Sequence, residues 1–403
     1  NRPETSRMTD DRIDTVRQIQ RGFEQIEFEQ RTVRAQGAMR AAQLDALLLT
    51  TEPEIRYFTG FHTQFFESPT RPWFVVVPAT NKPIAVIPEI GATGMQSTWI
   101  EDIRTWPSPR PEDDGISLLA DALNALPSRF GHLGVALGTQ SVLRMPVADY
   151  ESLVQQITFT TSDCALLLHQ LRFVKSPAEI EKIAMACQIT SNAFLEIAKT
   201  SLPGESEIEI CRRMKIDLLE RGADSIPYLV AGSGLGGYGS IIMGPTDRLL
   251  SDGDVLIIDT GTTYDGYYCD FDRNLAFGRI PDDTRKAHEV IFHATDAGFA
   301  AAHPGATTSE VWAAMWKELE EGGALGNSVG RMGHGLGMQL TEWPSVKPGD
   351  NAVLEPGVVL TLEPGMEFTP GKQLVHEENI VITEDGAQYL SHRAPQEMPI
   401  AGI

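Results

Sequence analysis

The sequence predicts an α/β N-terminal domain followed by an α+β C-terminal domain that carries a carboxylate–histidine metal centre. Three observations lead there. Strand-length apolar runs alternate with helical stretches over about the first 160 residues. A strongly capped helix start follows near residue 170, and the helices after it give way to strands. Acidic residues then stand on or at the ends of several of those apolar strands. A chain of 403 residues suits two domains, divided here as 1–168 and 169–403.

The elements follow in order. Residues 12–45 read as a long helix ending near Gln43, and 44–50 is an apolar run of strand length. Segments 73–77 and 84–87 are further strands separated by turn residues. Residues 116–126 read as a helix and 133–137 as a strand. At the boundary, Ser176 is an N-cap, Pro177 fits the first helical position and Glu179 completes a capping box. Ile180, Ile183, Cys187 and Phe194 continue at helical spacing. A second helix over 205–221 stops at Gly222. Strands are expected over 255–259, 267–273, 358–363 and 377–383, with helices over 283–302 and 308–322. The glycine-rich stretch 232–237 lacks the Lys-Ser/Thr of a phosphate loop and reads as a flexible loop at the rim of the site.

Composition narrows the function classes. Lys and Arg number 33 against 55 Asp and Glu, a net charge of −22, which disfavours nucleic acid and anionic lipid as partners. No apolar run is long enough for a membrane span. The four cysteines form no CxxC pair, and Cys187 and Cys211 fall in helical patterns as small core residues. Residues 1–34 are charged and polar, without the apolar run of a signal peptide, so a reducing cytoplasm is expected.

The chemistry begins at a hairpin. Residues 253–259 form a buried strand ending in Asp259, and Asp265-Gly266 is a strong two-residue turn signal. That turn pairs 264 with 267, so 259 faces 272 and 261 faces 270. Side chains alternate along strands, which puts Asp259, Asp270 and Asp272 on one face. Buried carboxylates are costly unless paired or bound to metal. Further donors follow: His334 among Gly333, Gly335 and Gly337, Glu363 at the end of an apolar strand, and Glu377 and Glu378 at the head of another. Oxygen donors with one imidazole suit Mn, Fe, Co or Zn.

These residues resemble the pita-bread metallopeptidase superfamily, which includes methionine aminopeptidase, aminopeptidase P, prolidase and creatinase. The resemblance covers nearly the whole chain, with a creatinase-like N-terminal domain. It implies two divalent metal ions on Asp259, Asp270, His334, Glu363 and Glu377, spaced 11 residues between the Asp pair and 14 between the Glu pair. It also implies a homodimer. Peptidases of this group keep two further histidines, expected at 242 and just before the acid of a His-Glu-x-Pro stretch. This chain has Ile242 and Thr341 there, and Asp270-Phe271-Asp272-Arg273 stands in place of Asp-x-Thr-Arg.

Those departures, with the segments 65–73 and 333–344, look like the dimethylsulfoniopropionate lyases of marine bacteria. That resemblance implies β-elimination of a small zwitterionic substrate to dimethyl sulfide and acrylate, with iron as the metal and Mn, Co, Ni or Zn open. Asp272 or Glu342 would then be the catalytic base taking the α-proton. Trp73, Tyr268 and Trp343 would face the sulfonium by cation–π contact, Phe65 with Phe66 would line the pocket from a partner subunit, and Arg71 would reach the substrate carboxylate. Arg273 is expected to pair with an acid of the hairpin. The alternative is an Xaa-Pro aminopeptidase, prolidase or other C–N hydrolase, such as an ectoine- or creatine-type amidohydrolase. A non-catalytic binding protein is disfavoured because all five ligand positions are filled.

Overall fold

The computed structural model describes residues 19–327 and 330–403. Its first helix, α1 (Gln25–Ala41), covers part of the expected 12–45 stretch, of which 12–18 lies outside the described residues. A six-stranded mixed sheet follows, built from β1 (Ala46–Leu49), β2 (Phe74–Pro78), β3 (Ile84–Pro88), β4 (Asp102–Trp106), β5 (His132–Val135) and β6 (Thr160–Asp163). The spatial order is β4-β3-β2-β1-β5-β6. Helices α2 (Glu52–Thr59), α3 (Ala92–Gln96), α4 (Ile116–Asn124) and α5 (Val147–Gln156) connect the strands, and α6 (Ala165–Phe173) leads out of the sheet.

Alternation along β1 explains how the two halves join. Ala46 and Leu48 pack on one sheet face with Leu119, Leu123 and Leu153. Leu47 and Leu49 face the other way, into a core that runs on through Ile183 and Cys187 to Ile258. One hydrophobic core therefore continues from the first sheet into the C-terminal half.

That half opens with α7 (Pro177–Thr200) and α8 (Glu207–Glu220). Both carry complete capping boxes, Ser176 with Glu179 and Ser206 with Glu209. Three long strands make the next sheet in the order β10-β8-β7: β7 (Ser225–Leu235), β8 (Asp254–Tyr264) and, after the short β9 (Tyr267–Tyr268), β10 (Phe271–Ala276). Asp265 and Gly266 have φ of 50° and 82°, the positive values a tight hairpin turn needs. The pairs Tyr264–Tyr267 and Asp272–Asp259 hold the register that the turn dictates.

Helices α9 (Asp282–Ala301) and α10 (Thr308–Glu321) precede a second sheet. Its strands are β11 (His334–Gly335), β12 (Glu342–Ser345), β13 (Val359–Leu362), β16 (Glu378–Thr383) and β17 (Gly386–Tyr389), in the order β12-β11-β13-β16-β17. The β14 (Gly365–Thr369) and β15 (Lys372–Val375) ribbon lies between β13 and β16 in sequence. The stretch 232–237, expected as a flexible loop, is a correction. Residues 232–235 belong to β7 and pair with β8. Small residues are needed because backbone crowds them: a Cβ on Gly234 would sit 2.2 Å from the Gly237 carbonyl oxygen.

Candidate metal centre

Two sheets deliver the candidate ligands. Asp259 lies within β8 and Asp270 between β9 and β10, while His334 opens β11, Glu363 follows β13 and Glu377 precedes β16. All five line one cavity of about 560 Å³. Donor atoms of Asp270, His334 and Glu377 lie within 4.8 Å of one another. His334 Nε2 is 3.2 Å from Asp270 Oδ2, and its Nδ1 lies 2.8 Å from the Gly335 carbonyl oxygen.

Surrounding groups hold these side chains in place. Tyr228 donates its hydroxyl to Asp259 Oδ1 at 3.1 Å and also to Asp270. Its ring fits because residue 261, opposite it on β8, is glycine; a Cβ there would lie 2.7 Å from the ring. The Asp270 backbone N–H donates to Asn379 Oδ1 at 3.0 Å, and the Asn379 amide donates back to the Asp270 carbonyl. The His334 backbone N–H donates to Thr361 Oγ1 at 3.2 Å. Arg273 pairs with Glu378 at 2.9 Å and donates to the Glu377 carbonyl at 2.8 Å and the Asp272 carbonyl at 2.6 Å, so it braces the ligand strand, and among the described residues it makes no ion pair with an acid of its own hairpin.

The electrostatics fit cations. Burial, followed by repulsion from neighbouring carboxylates, pushes Asp259 and Glu377 well above the usual carboxylate range. Burial also raises Glu363, against the pull of His334 and Arg331. Burial lowers His334, but Asp270 and Glu363 outweigh it and leave the imidazole above its ordinary value. Glu363 Oε1, Glu377 Oε1 and Asp272 Oδ1 are buried without a hydrogen-bond donor. Arg331 Nε lies 3.4 Å from Glu363 Oε1, an ion pair without hydrogen-bond alignment. Buried acceptors left unpaired cost about 1–3 kcal/mol each or more. Divalent ions in the cavity would satisfy the Glu363 and Glu377 oxygens, so the donor set fits a pair of metal ions.

The other expected site residues fall elsewhere. Asp272 pairs with Asp259 across the strands and feels the charges of Glu363 and Asp270, but it is buried and lies outside the cavity lining. Glu342 is likewise corrected. Its carboxylate meets Lys175 Nζ at 3.1 Å and accepts from the Met338 and Gln339 backbone at 3.0 and 3.3 Å. Burial raises that carboxyl, but Lys175 and Arg172 bring it below its ordinary value, so it is an anion fixed in a structural pair.

Nor do the aromatic candidates line the cavity. Trp73 is 1% exposed and packs on Phe61 and Phe66 in the N-terminal core, where an apolar ring gains most from burial. Trp343 packs on Phe173 at 4.8 Å between ring centres. Tyr268 lines a separate cleft with Arg56, His62 and Glu67. Phe65 is exposed, with the Arg71 guanidinium 5.8 Å from its ring centre. Residues missed in the sequence are Tyr228, Arg331 and Lys347, which do line the cavity. Only Gly261 hinted at Tyr228, as a small residue in an otherwise bulky strand.

Comparison with known proteins sets the family. The model of metallopeptidase family M24 matches residues 181–384, just over half of the chain, and the creatinase/prolidase N-terminal domain model matches residues 31–174. The chain belongs to metallopeptidase family M24. Members of the family use a pair of metal ions, and the M24 pita-bread fold with its creatinase-type N-terminal domain accounts for both halves described above.

Among curated M24 relatives, the probable dipeptidase PepE of Mycobacterium tuberculosis is 27% identical over 389 residues, 95% of this chain and 99% of that protein. The Xaa-Pro dipeptidase of Pyrococcus furiosus is 28% identical over 228 residues, 56% of this chain and 65% of that protein. The crystal structure of dipeptidase PepE from Mycobacterium ulcerans superposes with a TM-score of 0.81 at 26% identity, covering 94% of this chain and 99% of that one. These relatives carry peptidase names and overturn the carbon–sulfur lyase expectation. The losses at 242 and 341 suggested a lyase, but those positions lie on the wall beside the ligands and leave the ligand set untouched.

Proposed function

We propose that this chain is a metal-dependent C–N hydrolase of the peptidase class, acting on a dipeptide or similarly small amide. One observation carries the reading: Asp259, Asp270, His334, Glu363 and Glu377 line a single cavity of about 560 Å³, within the range of small-ligand sites. The dipeptidase and Xaa-Pro dipeptidase names of the relatives support it.

In this reading the five side chains hold two first-row divalent ions such as Mn, Fe, Co, Ni or Zn. Such ions, when bound, supply Lewis acidity to a substrate carbonyl and an acidified water. The chain itself orients and encloses. Burial, then Asp259 and Asp270, raise the Tyr228 phenol far above its ordinary value. It therefore keeps its proton and holds the two Asp carboxylates. The Arg331 Nη2 and Thr341 hydroxyl, 3.4 Å apart on the wall, are donors for a substrate carbonyl or carboxylate. Ile241, Ile242 and Leu340 supply apolar surface for a side chain.

Metal-replete protein should release amino acid from a panel of Xaa-Pro and Xaa-Xaa dipeptides, and chelator should abolish the release. No turnover across that panel, at full metal occupancy by elemental analysis, would reject the proposal. A homodimer and a reducing compartment belong to the same reading. All four cysteines are free and buried, which suits the latter. Light scattering on the purified chain tests the former.

A further inference from the structure

We propose that Asp272 is a further acidic member of the metal centre, an anion behind the five ligands that tightens their hold on two cations. The inference rests on the two-ion reading of those ligands and is independent of the substrate. Asp272 fills the position where the Asp-x-Thr-Arg pattern would put a threonine. A threonine hydroxyl is neutral and can donate a hydrogen bond, whereas an ionised carboxylate brings a formal charge and only accepts.

The surroundings of Asp272 leave that charge directed at the ligands. Asp272 is 2% exposed and stands in register with Asp259 on the paired strand β8. Residues directly opposite each other in an antiparallel pair hold their Cβ atoms about 4.5–5.5 Å apart. Burial, then Asp270 and Asp272, push the Asp259 carboxyl up, so the charge is felt at a ligand. Asp272 Oδ1 is buried and receives no hydrogen bond. Arg273 attracts Asp272 through space. Its donors, however, are taken up by the Glu378 carboxylate and by the Asp272, Glu377 and His392 carbonyls. On the cavity side, Arg331 Nε lies 3.4 Å from Glu363 Oε1. Four ligand carboxylates with Asp272 therefore match two divalent ions and the Arg331 guanidinium charge for charge. Without Asp272 the same set would hold a surplus positive charge. In a buried site of low dielectric that surplus repels an incoming cation strongly.

Metal affinity and metal-free stability test this together. The second manganese ion is titrated against a competing chelator into wild type and D272N, with metal content checked by elemental analysis. D272N should bind it about tenfold to a hundredfold more weakly. At about pH 8, where carboxylates ionise in water, metal-free D272N should melt higher than metal-free wild type. The substitution removes a buried unpaired charge, and the new amide can donate to Asp259. A packing defect would lower both quantities, so a loss of affinity with a gain in stability is the signature of a charge. D272T should weaken manganese in the same direction and carries the affinity test if D272N folds poorly. Unchanged manganese affinity in both variants overturns the role of Asp272, and so does weaker binding by D272N whose metal-free form melts lower. Wild type that takes up no manganese rejects the metal centre and this inference with it. If the affinities shift as stated while no dipeptide is hydrolysed, Asp272 keeps its role and the hydrolase proposal fails.

Discussion

Glu342 and Asp272 show how a side chain's role is set by what faces it. Both are acids near ligand positions in sequence, and either suits a base on residue type alone. Glu342 instead closes a buried pair with Lys175, with Arg172 Nε 3.9 Å away. Removing one partner of a buried pair strands the other charge. Glu342→Gln should therefore cost about 3–5 kcal/mol of stability, read by chemical denaturation. Since its carboxylate also pins the backbone at Met338 and Gln339, turnover should fall only as far as the loop through Thr341 shifts. Full loss of turnover at unchanged stability would restore Glu342 as a base. Substitution of a cavity acid should act differently: Glu377→Gln should lower metal content, since its Oε1 has no protein donor to satisfy it.

The elements were the most legible level. The turn at Asp265-Gly266 predicts the β8–β10 register because side-chain alternation leaves no freedom once the turn length is set. The capping box at Ser176 was equally plain. Ser176 accepts from the Glu179 N–H at 3.3 Å, and Glu179 accepts from the Ser176 N–H at 2.9 Å. Ser176→Ala should cost about 1 kcal/mol, measured by urea denaturation, with metal content unchanged because the cap lies outside the cavity lining. The glycine stretch at 232–237 misled for a physical reason. Glycine marks both loops and strands that another backbone approaches closely, and only the packed neighbour distinguishes them.

At the scale of the whole molecule, the metal centre couples stability to pH. In the metal-free chain, burial first and carboxylate repulsion second raise Asp259 and Glu377 well above the usual range, and burial raises Asp272 and Glu363 too. The folded chain thus binds protons more tightly than the unfolded chain. That stabilisation is complete below the unfolded carboxylate pKa, about 4, and is lost as pH rises through the raised folded values. Chelated protein should melt at a lower temperature at about pH 8 than at about pH 5, where unfolded carboxylates are already mostly ionised. Divalent metal should reverse the loss at the higher pH, by about 2.7 kcal/mol at a hundredfold excess over Kd. Thermal melts with and without chelator check both; a melting temperature indifferent to chelator would contradict a cation-filled cavity.

By itself the sequence determined the two-domain α/β and α+β architecture, the helix starts, the hairpin register and the spacing of acids that marks the M24 family. These are local matters: periodicity, capping and turn chemistry act over a few residues and survive translation into a string. Only the tertiary structure decided which acids share a cavity, that Asp272 and Glu342 lie outside its lining, that Trp73 belongs to the core, and that Arg331 and Lys347 stand beside the ligands. Those outcomes depend on the approach of segments tens to hundreds of residues apart. A side chain's charge and access follow from its neighbours across that distance, and no spacing along the chain encodes them.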